Sequence, residues 1–267
     1  MARPVVLIHG MWCTGANFTR LVEGLKPRGH ACFAPTLPAH EIGVLHPEVG
    51  SKSLTEYLAF LENFVHQQKF AEAPILIGHS MGGLLAQQLA ARIKPFALVL
   101  LTPAVPAGIF GIRWSNMVSF LPVFLRWGWW KRPQKFSFAR YVTRAFNGVP
   151  PEKHPAIYGG LVEESGRAVF EIGYWLLDRR GAARVDASAV QCPVYVVSSG
   201  HDRLTPASVV RKLGRLYPQA SMRHYPDRGH WVLDDADTDE MTAEIANWLQ
   251  GHEQRDKGDA HLYSRNP

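Results

Sequence analysis

The stretch Gly78-His79-Ser80-Met81-Gly82-Gly83 decides the fold. It follows the apolar run at 75–77 and precedes residues 84–92, which are strong helix formers. A serine between glycines, at a turn from a strand into a helix, can be held in a strained and exposed conformation. The helix N-terminus behind that serine favours a developing negative charge. The stretch therefore predicts a nucleophile at Ser80, and the alternative is a glycine-rich turn with an incidental serine.

Five short runs of continuous apolar residues predict strands: 5–8, 31–34, 75–77, 96–101 and 194–197. Continuous rather than alternating apolarity is typical of parallel strands that are covered on both faces. Residues 223–225 are a weaker sixth candidate.

Helical spacing separates several of these runs. Apolar residues recur every three or four positions over 18–25, 54–65 and 241–249. Ser53 is a plausible N-cap for the second of these helices, and Gly251 is a natural end for the third. Alternating strands and helices predict an α/β fold: a doubly wound, mainly parallel sheet of about six strands flanked by helices.

The interval between 101 and 194 breaks this alternation, because none of its runs predicts a core strand. It holds five of the eight tryptophans, at 114, 127, 129, 130 and 175. We predict that 1–104 and 186–251 form the core and that 105–185 form an inserted helical cap. Residues 252–267 are polar and lack periodicity, which predicts a flexible tail.

Composition narrows the class of protein. With 267 residues, 46% hydrophobic and 19% charged, the chain is long and apolar enough to fold around one large core. The net charge of +6 comes without any motif of a nucleic-acid reader, so we expect no nucleic-acid partner. Three cysteines lie far apart, which predicts neither a disulfide framework nor a zinc site.

The two most apolar stretches do not predict membrane targeting. The N-terminal one is too short for a secretory signal and lacks a small-residue cleavage site. Charged and polar residues interrupt the stretch at 109–130, so it does not predict a membrane span. We therefore expect a cytoplasmic protein.

Activation of a serine requires a base and an orienting acid, and both occur downstream. Asp202 follows the predicted strand at 194–197, and His230 follows the last strand candidate. Both positions are loops at the carboxyl ends of strands, as is Ser80. Three other aspartates are rival candidates for the acid: Asp227, Asp234 and Asp235. We interpret His79, His201 and His40 as structural rather than as bases.

The order Ser80, Asp202, His230 resembles that of the α/β-hydrolase fold superfamily, in its small capped bacterial form. The resemblance covers Arg3 to about Gly251 and leaves the inserted segment poorly matched. It implies that Ser80 is the nucleophile, His230 the general base, and Asp202 the acid that fixes the tautomer of His230. The first parallel strand comes almost at once, which leaves no room for the two antiparallel strands that often open this fold.

The turn His9-Gly10-Met11-Trp12 directly follows the first strand. In enzymes that this chain resembles, the residue after the His-Gly pair and the residue after the nucleophile donate amide hydrogens to the oxyanion. These positions are Met11 and Met81. Trp12 beside the turn and Trp231 beside the histidine are candidates for substrate contact, whereas Cys13 is interpreted as a buried, inert thiol.

Residues 103–150 contain no acidic side chain and seven basic ones: Arg113, Arg126, Lys131, Arg132, Lys135, Arg140 and Arg144. A basic, aromatic segment can receive an amphiphilic substrate with an anionic head group, or rest on an anionic membrane surface. The alternative is a solvated basic face over a packed cap, with Glu163, Glu164 and Glu171 as its acidic partners.

These features favour a serine hydrolase that cleaves a carboxylic ester of a hydrophobic small molecule through an acyl-enzyme, without metal or cofactor. A thioesterase, a lactonase or a carbon–carbon bond hydrolase would use the same residues. A perhydrolase of the cofactor-free haloperoxidase kind, in which peroxide replaces water, is a further alternative. A ligand-binding protein of low turnover is the alternative outside the enzymes, and the complete set of three residues argues against it.

Overall fold

A six-stranded, fully parallel sheet forms the centre of the protein, which a computed structural model describes for residues 2–110 and 127–263. The described strands are β1 (Val5–Ile8), β2 (Cys32–Phe33), β3 (Ile75–His79), β4 (Ala97–Leu101), β5 (Pro133–Gln134), β6 (Glu164–Ser165), β7 (Val194–Ser199) and β8 (Ser221–Tyr225). The order across the large sheet is β2-β1-β3-β4-β7-β8, with parallel pairing throughout. The predicted fold class is confirmed, and all six predicted strands are present.

Eight α-helices are described: α1 (Thr19–Leu25), α2 (Leu54–Gln68), α3 (Met81–Ile93), α4 (Phe138–Arg144), α5 (His154–Gly159), α6 (Gly166–Gly173), α7 (Ala207–Leu213) and α8 (Thr238–Tyr263). Side chains of alternate strand residues point to opposite faces of the sheet. Val5 and Leu7 pack with α1 and α8, whereas Val6 and Ile8 pack with α2, α3 and α7. Both faces are therefore buried, as the continuous apolar runs predict.

The start of α2 shows the predicted N-cap. The Ser53 hydroxyl accepts a hydrogen bond from the Thr55 amide, and the Glu56 carboxylate accepts one from the Ser53 amide at 2.9 Å. This reciprocal arrangement satisfies amide groups that the first helical turn leaves without partners.

The last helix differs from the prediction. It runs through Gly251 to Tyr263, so the predicted helix end is wrong, while 264–267 lie outside the described residues. The flexibility of 252–267 stays a prediction. The backbone amide of Arg3 donates to Glu253 at 3.2 Å, and its guanidinium pairs with Asp256 at 2.6 Å. Contacts with the opposite end of the chain therefore hold a polar segment that has no apolar periodicity of its own.

The interval predicted as a cap contains α4, α5, α6 and a two-stranded antiparallel sheet of β5 and β6. This interval therefore contains helices, as predicted, and also a small sheet that was not predicted. Residues 111–126, with Arg113, Trp114 and Arg126, lie outside the described residues. The assignment of 105–185 as a cap stays a prediction. None of the described helices combines the length and the apolar sequence needed to cross a membrane.

Candidate active site

Ser80 lies at the turn between β3 and α3, in a backbone conformation that residues with a side chain rarely adopt. Its backbone has φ 53° and ψ −120°. Its amide donates to the Leu101 carbonyl at 3.0 Å, and its carbonyl accepts from the amides of Gly83 at 2.9 Å and Ala104 at 2.8 Å. Such strain persists only where surrounding contacts determine the backbone. The predicted turn at Ser80 is therefore present in the structure, and the role of Ser80 as nucleophile stays a prediction.

The two glycines around Ser80 permit close backbone contacts. A Cβ atom at Gly78 would lie 2.3 Å from the Gly82 carbonyl oxygen, and one at Gly82 would lie 2.0 Å from the Ile8 carbonyl oxygen. Both distances are far below van der Waals contact. A side chain at either position would displace the turn, which explains the glycines two residues before and two residues after Ser80.

Ser80, His230 and Asp202 form a continuous line of hydrogen bonds. The Ser80 hydroxyl lies 2.9 Å from His230 Nε2, and His230 Nδ1 lies 2.9 Å from Asp202 Oδ2. His230 and Asp202 are 3% and 5% exposed. The structure thus brings together the three residues that the sequence predicts, from loops after β3, β7 and β8.

The Asp202 carboxylate is oriented by its own loop. The amides of Leu204 and Thr205 both donate to Oδ1 at 2.8 Å, and the Thr205 hydroxyl lies 2.8 Å from Oδ2. A carboxylate only accepts hydrogen bonds, so these contacts leave Oδ2 facing the N–H at His230 Nδ1. This orientation fixes the tautomer in which Nε2 is free to accept the serine proton. Sequence reasoning missed Thr205, although it lies only three residues after Asp202.

The rival aspartates have other contacts. Asp235 is buried in an ion pair with Arg228. Asp234 pairs with Arg20 at 3.3 Å and Lys153 at 2.8 Å. Asp227 is exposed. The geometry therefore favours Asp202 as the partner of His230.

His79 and His9 are buried behind the site as neutral rings. Burial, with the nearby His230, lowers the pKa of His79 to about 3, and burial together with His40 lowers the pKa of His9 to about 3. His9 Nδ1 donates to the Gly10 carbonyl at 2.9 Å, and Nε2 accepts from the Leu37 amide at 3.0 Å. His9 thus braces the turn that precedes Met11, and the buried position of His79 agrees with its structural interpretation.

The two predicted oxyanion donors lie at turns next to the triad. Among the described residues no acceptor is bonded to the Met11 amide. Met81 opens α3, where the first amides have no acceptor within the helix. Both amides are therefore available to a substrate oxygen.

The two tryptophans predicted to contact substrate are largely buried among protein side chains. Trp12 is 5% exposed and packs against Phe136 and Tyr141, with ring centroids 4.6 and 5.6 Å away. Trp231 is 4% exposed and packs against Phe146 and His79. These contacts give both indoles a packing role, and a role in substrate binding stays a prediction. Cys13 is 1% exposed, and burial raises the pKa of its thiol far above the usual value, which makes it a poor nucleophile.

Two of the three glutamates expected to face the basic segment lie elsewhere. Glu164 and Glu171 are both fully buried: Glu164 pairs with His40, and Glu171 pairs with Arg167. Glu163 is closer to the expectation, since Lys135 acts on its carboxyl group, although burial raises the Glu163 pKa overall. Only the pairing of Glu164 with His40, 124 residues away, could have predicted its buried position, and a single sequence does not reveal that pairing.

The basic segment forms no ion pair in the described structure, although Lys135 acts on the Glu163 carboxyl group from a longer distance. Five of its basic residues are described, and none forms an ion pair with another described residue: Lys131, Arg132, Lys135, Arg140 and Arg144. No group of three described His, Cys, Asp or Glu side chains is placed to hold a metal ion.

Comparison with known proteins decides the family. A sequence model of the alpha/beta hydrolase family matches residues 5–244. The chain belongs to that family. It is 26% identical over 261 residues to the magnesium-chelatase 30 kDa subunit of Rhodobacter capsulatus, covering 92% of this chain and 87% of that protein.

This α/β hydrolase has further relatives that are named as esterases. It is 25% identical over 232 residues to the pimeloyl-[acyl-carrier protein] methyl ester esterase of Chromobacterium violaceum, covering 85% of this chain and 86% of that one. A crystal structure of a methylesterase from Arabidopsis superposes with a TM-score of 0.72 at 14% identity, covering 93% and 99% of the two chains. The structural match shows a shared fold, and the relatives support an enzyme that hydrolyses esters.

Proposed function

We propose that this protein hydrolyses carboxylic esters of hydrophobic small molecules through an acyl-enzyme on Ser80. The observation that carries the proposal is the line of hydrogen bonds from the Ser80 hydroxyl through His230 to Asp202, with both distances at 2.9 Å. A serine in a strained turn, a histidine within hydrogen-bonding distance of it and an oriented acid are what acyl transfer needs.

The first half of the reaction forms the acyl-enzyme. The Ser80 oxygen attacks the ester carbonyl carbon while His230 Nε2 takes the serine proton, and Asp202 stabilises the resulting imidazolium. The amides of Met11 and Met81 hold the carbonyl oxygen as it becomes negative. When the tetrahedral intermediate collapses, the bond to the alkoxy group breaks and His230 returns the proton to the departing alcohol.

Water completes the cycle. It attacks the acyl carbon while His230 Nε2 accepts one of its protons, and the intermediate collapses with that proton passing to the Ser80 oxygen. The products are a carboxylic acid and the free enzyme, so neither a metal nor a redox cofactor enters the balance.

An anionic group on the substrate is supported by the basic segment. Its five described basic residues form no ion pair with another described residue, so they can attract an anion without breaking an existing ion pair. The Chromobacterium relative is named for a methyl ester of a pimeloyl group on an acyl-carrier protein. We therefore propose an amphiphilic ester as the substrate class.

The Rhodobacter relative is named as a subunit of magnesium chelatase rather than as an esterase. A chain without turnover would have no need for Ser80, His230 and Asp202 to remain in hydrogen-bonding order. Their order in this chain favours hydrolysis over a purely binding role.

The test is hydrolysis of p-nitrophenyl esters from acetate to palmitate by the wild type and by Ser80→Ala. We expect the substitution to lower kcat by about 10³-fold or more, since residual activity would come from binding and the oxyanion donors alone. The acyl chain length with the highest kcat/KM will indicate the size of the site that binds the acyl group. Equal activity of the two proteins would overturn the proposal.

A further inference from the structure

The backbone at Trp12, directly after Met11, is held in a left-handed conformation with φ 65°. Three hydrogen bonds from the interval predicted as a cap fix it. The Trp12 amide donates to Glu164 Oε2 at 3.4 Å, its carbonyl accepts from the Val162 amide at 2.8 Å, and its indole donates to the Gln134 carbonyl at 2.9 Å. A β-carbon makes this conformation costly, so the contacts must hold it in place.

Glu164 is the charged member of this set, and its carboxylate is fully satisfied. Besides the Trp12 amide, it accepts from His40 Nε2 at 3.2 Å, the Tyr57 hydroxyl at 3.0 Å and the Ser165 amide at 2.7 Å. Each oxygen thus has two donors, and the side chain is 0% exposed. All four contacts suit an ionised carboxylate, which only accepts hydrogen bonds.

His40 is the matching cation. Its Nε2 faces the Glu164 carboxylate, and its Nδ1 lies 3.0 Å from the Pro38 carbonyl. Both neighbours are acceptors, so only a doubly protonated ring can donate to both. Although burial opposes charge on His40, the Glu164 carboxylate raises the His40 pKa; burial likewise opposes charge on Glu164, but His40 lowers its pKa.

We propose that Glu164 is a positioning residue for the oxyanion turn: with His40, it fixes the Trp12 peptide and thereby the direction of the Met11 amide. This inference rests on the proposed function. A buried ion pair is costly to form and contributes little net stability compared with apolar packing, so its place against this turn points to a role in the site. Because the pair is neutral as a whole, it also holds the turn without repelling the developing oxyanion.

The test compares Glu164→Gln with the matched control Glu163→Gln, the neighbouring glutamate that does not contact Trp12. For each protein we would measure kcat and KM for a p-nitrophenyl ester, and inhibition by a trifluoromethyl ketone of the same acyl length, whose adduct with Ser80 carries the oxyanion. We expect Glu164→Gln to lower kcat by about 10- to 100-fold, below the loss of a complete oxyanion donor, with KM within about twofold. The ketone should bind more weakly by a similar factor, and the control should match the wild type.

A second variant guards against misfolding. Glu164→Gln combined with His40→Asn leaves no unpaired charge in the core, and we expect the same loss of kcat and of ketone affinity. Wild-type kcat and ketone affinity in a folded Glu164→Gln protein, or in this double variant, would overturn the inference. Wild-type activity in Ser80→Ala would instead overturn the proposed function, so the two failures are distinguishable.

Discussion

Two buried pairs of a histidine and a carboxylate lie near the predicted oxyanion turn, and their second contacts differ. His230 faces Asp202 at 2.9 Å, and its other nitrogen faces the Ser80 hydroxyl. His40 faces Glu164 at 3.2 Å, and its other nitrogen faces the Pro38 carbonyl. A hydroxyl can give up a proton, whereas a carbonyl can only accept one in a hydrogen bond.

The comparison shows how surroundings give one chemical pair two uses. His230 Nε2 faces a hydroxyl, which both donates and accepts hydrogen bonds. Both nitrogens of His40 face acceptors, and although burial opposes charge on the ring, the Glu164 carboxylate raises the His40 pKa. We propose that the first pair moves protons and that the second holds the backbone in place. The following predictions separate these roles, in order of decreasing effect.

The same chemical change in the two pairs should have unequal effects. Asp202→Asn places an amide beside His230 Nδ1 and favours the wrong tautomer, so we expect kcat to fall by about 10³- to 10⁴-fold. Glu164→Gln should lower kcat by only about 10- to 100-fold. Steady-state kinetics on one ester checks both, and equal losses in the two variants would contradict the division of roles.

Charge reversal in the basic segment should affect only charged substrates. Lys131→Glu with Arg132→Glu should lower kcat/KM about tenfold for an ester with an anionic tail and leave a neutral ester within about twofold, because the contact is electrostatic. Lys212→Glu with Arg215→Glu is the matched control, since both residues are exposed and lie on and after α7. Equal losses for both esters would rule out a substrate anion at this surface.

Thr205→Val should have a smaller effect than either carboxylate change. It removes a hydroxyl that lies 2.8 Å from Asp202 Oδ2 and leaves the two amide donors to Oδ1 in place. Loss of one hydrogen bond of about 1 kcal/mol corresponds to about a fivefold decrease in kcat. An unchanged kcat would show that the loop amides alone orient the acid.

Acid should destabilise the fold through His79, a buried histidine outside both pairs. Its pKa is about 3 in the folded protein and 6.5 in its unperturbed state. Between these values the unfolded chain binds a proton that the folded protein does not, so the free energy of unfolding falls as pH decreases. Urea unfolding at pH 7 and pH 5 should therefore show a smaller loss of stability in His79→Asn than in the wild type, by up to about 1.4 kcal/mol per pH unit between about pH 6.5 and pH 3. Identical slopes would contradict a neutral His79.

The sequence predicts those parts of the molecule that depend on local pattern. β1, β3, β4 and β7 are buried on both faces, so continuous apolar runs mark them to within two residues. Ser80 is marked in the same way by glycines that the turn requires.

Contacts between distant residues account for what the sequence does not predict. Within the helical segment that follows Gly251, Glu253 and Asp256 contact Arg3, about 250 residues earlier. The sequence pattern indicates that Glu164 is one of two adjacent surface glutamates. Its partners Trp12 and His40, however, lie 152 and 124 residues away along the chain. No spacing within a single chain records such a pairing.

The most direct test of the central claim is to identify the nucleophilic residue, which a fluorophosphonate phosphonylates with loss of fluoride. The wild type would be mixed with an alkyl fluorophosphonate, digested, and analysed by peptide mass spectrometry, with Ser80→Ala and Asp202→Asn treated in parallel. We predict one modified site, at Ser80 in the wild type, slow modification of the same site in Asp202→Asn, and none in Ser80→Ala. Modification at another residue, with ester hydrolysis retained in Ser80→Ala, would contradict the account.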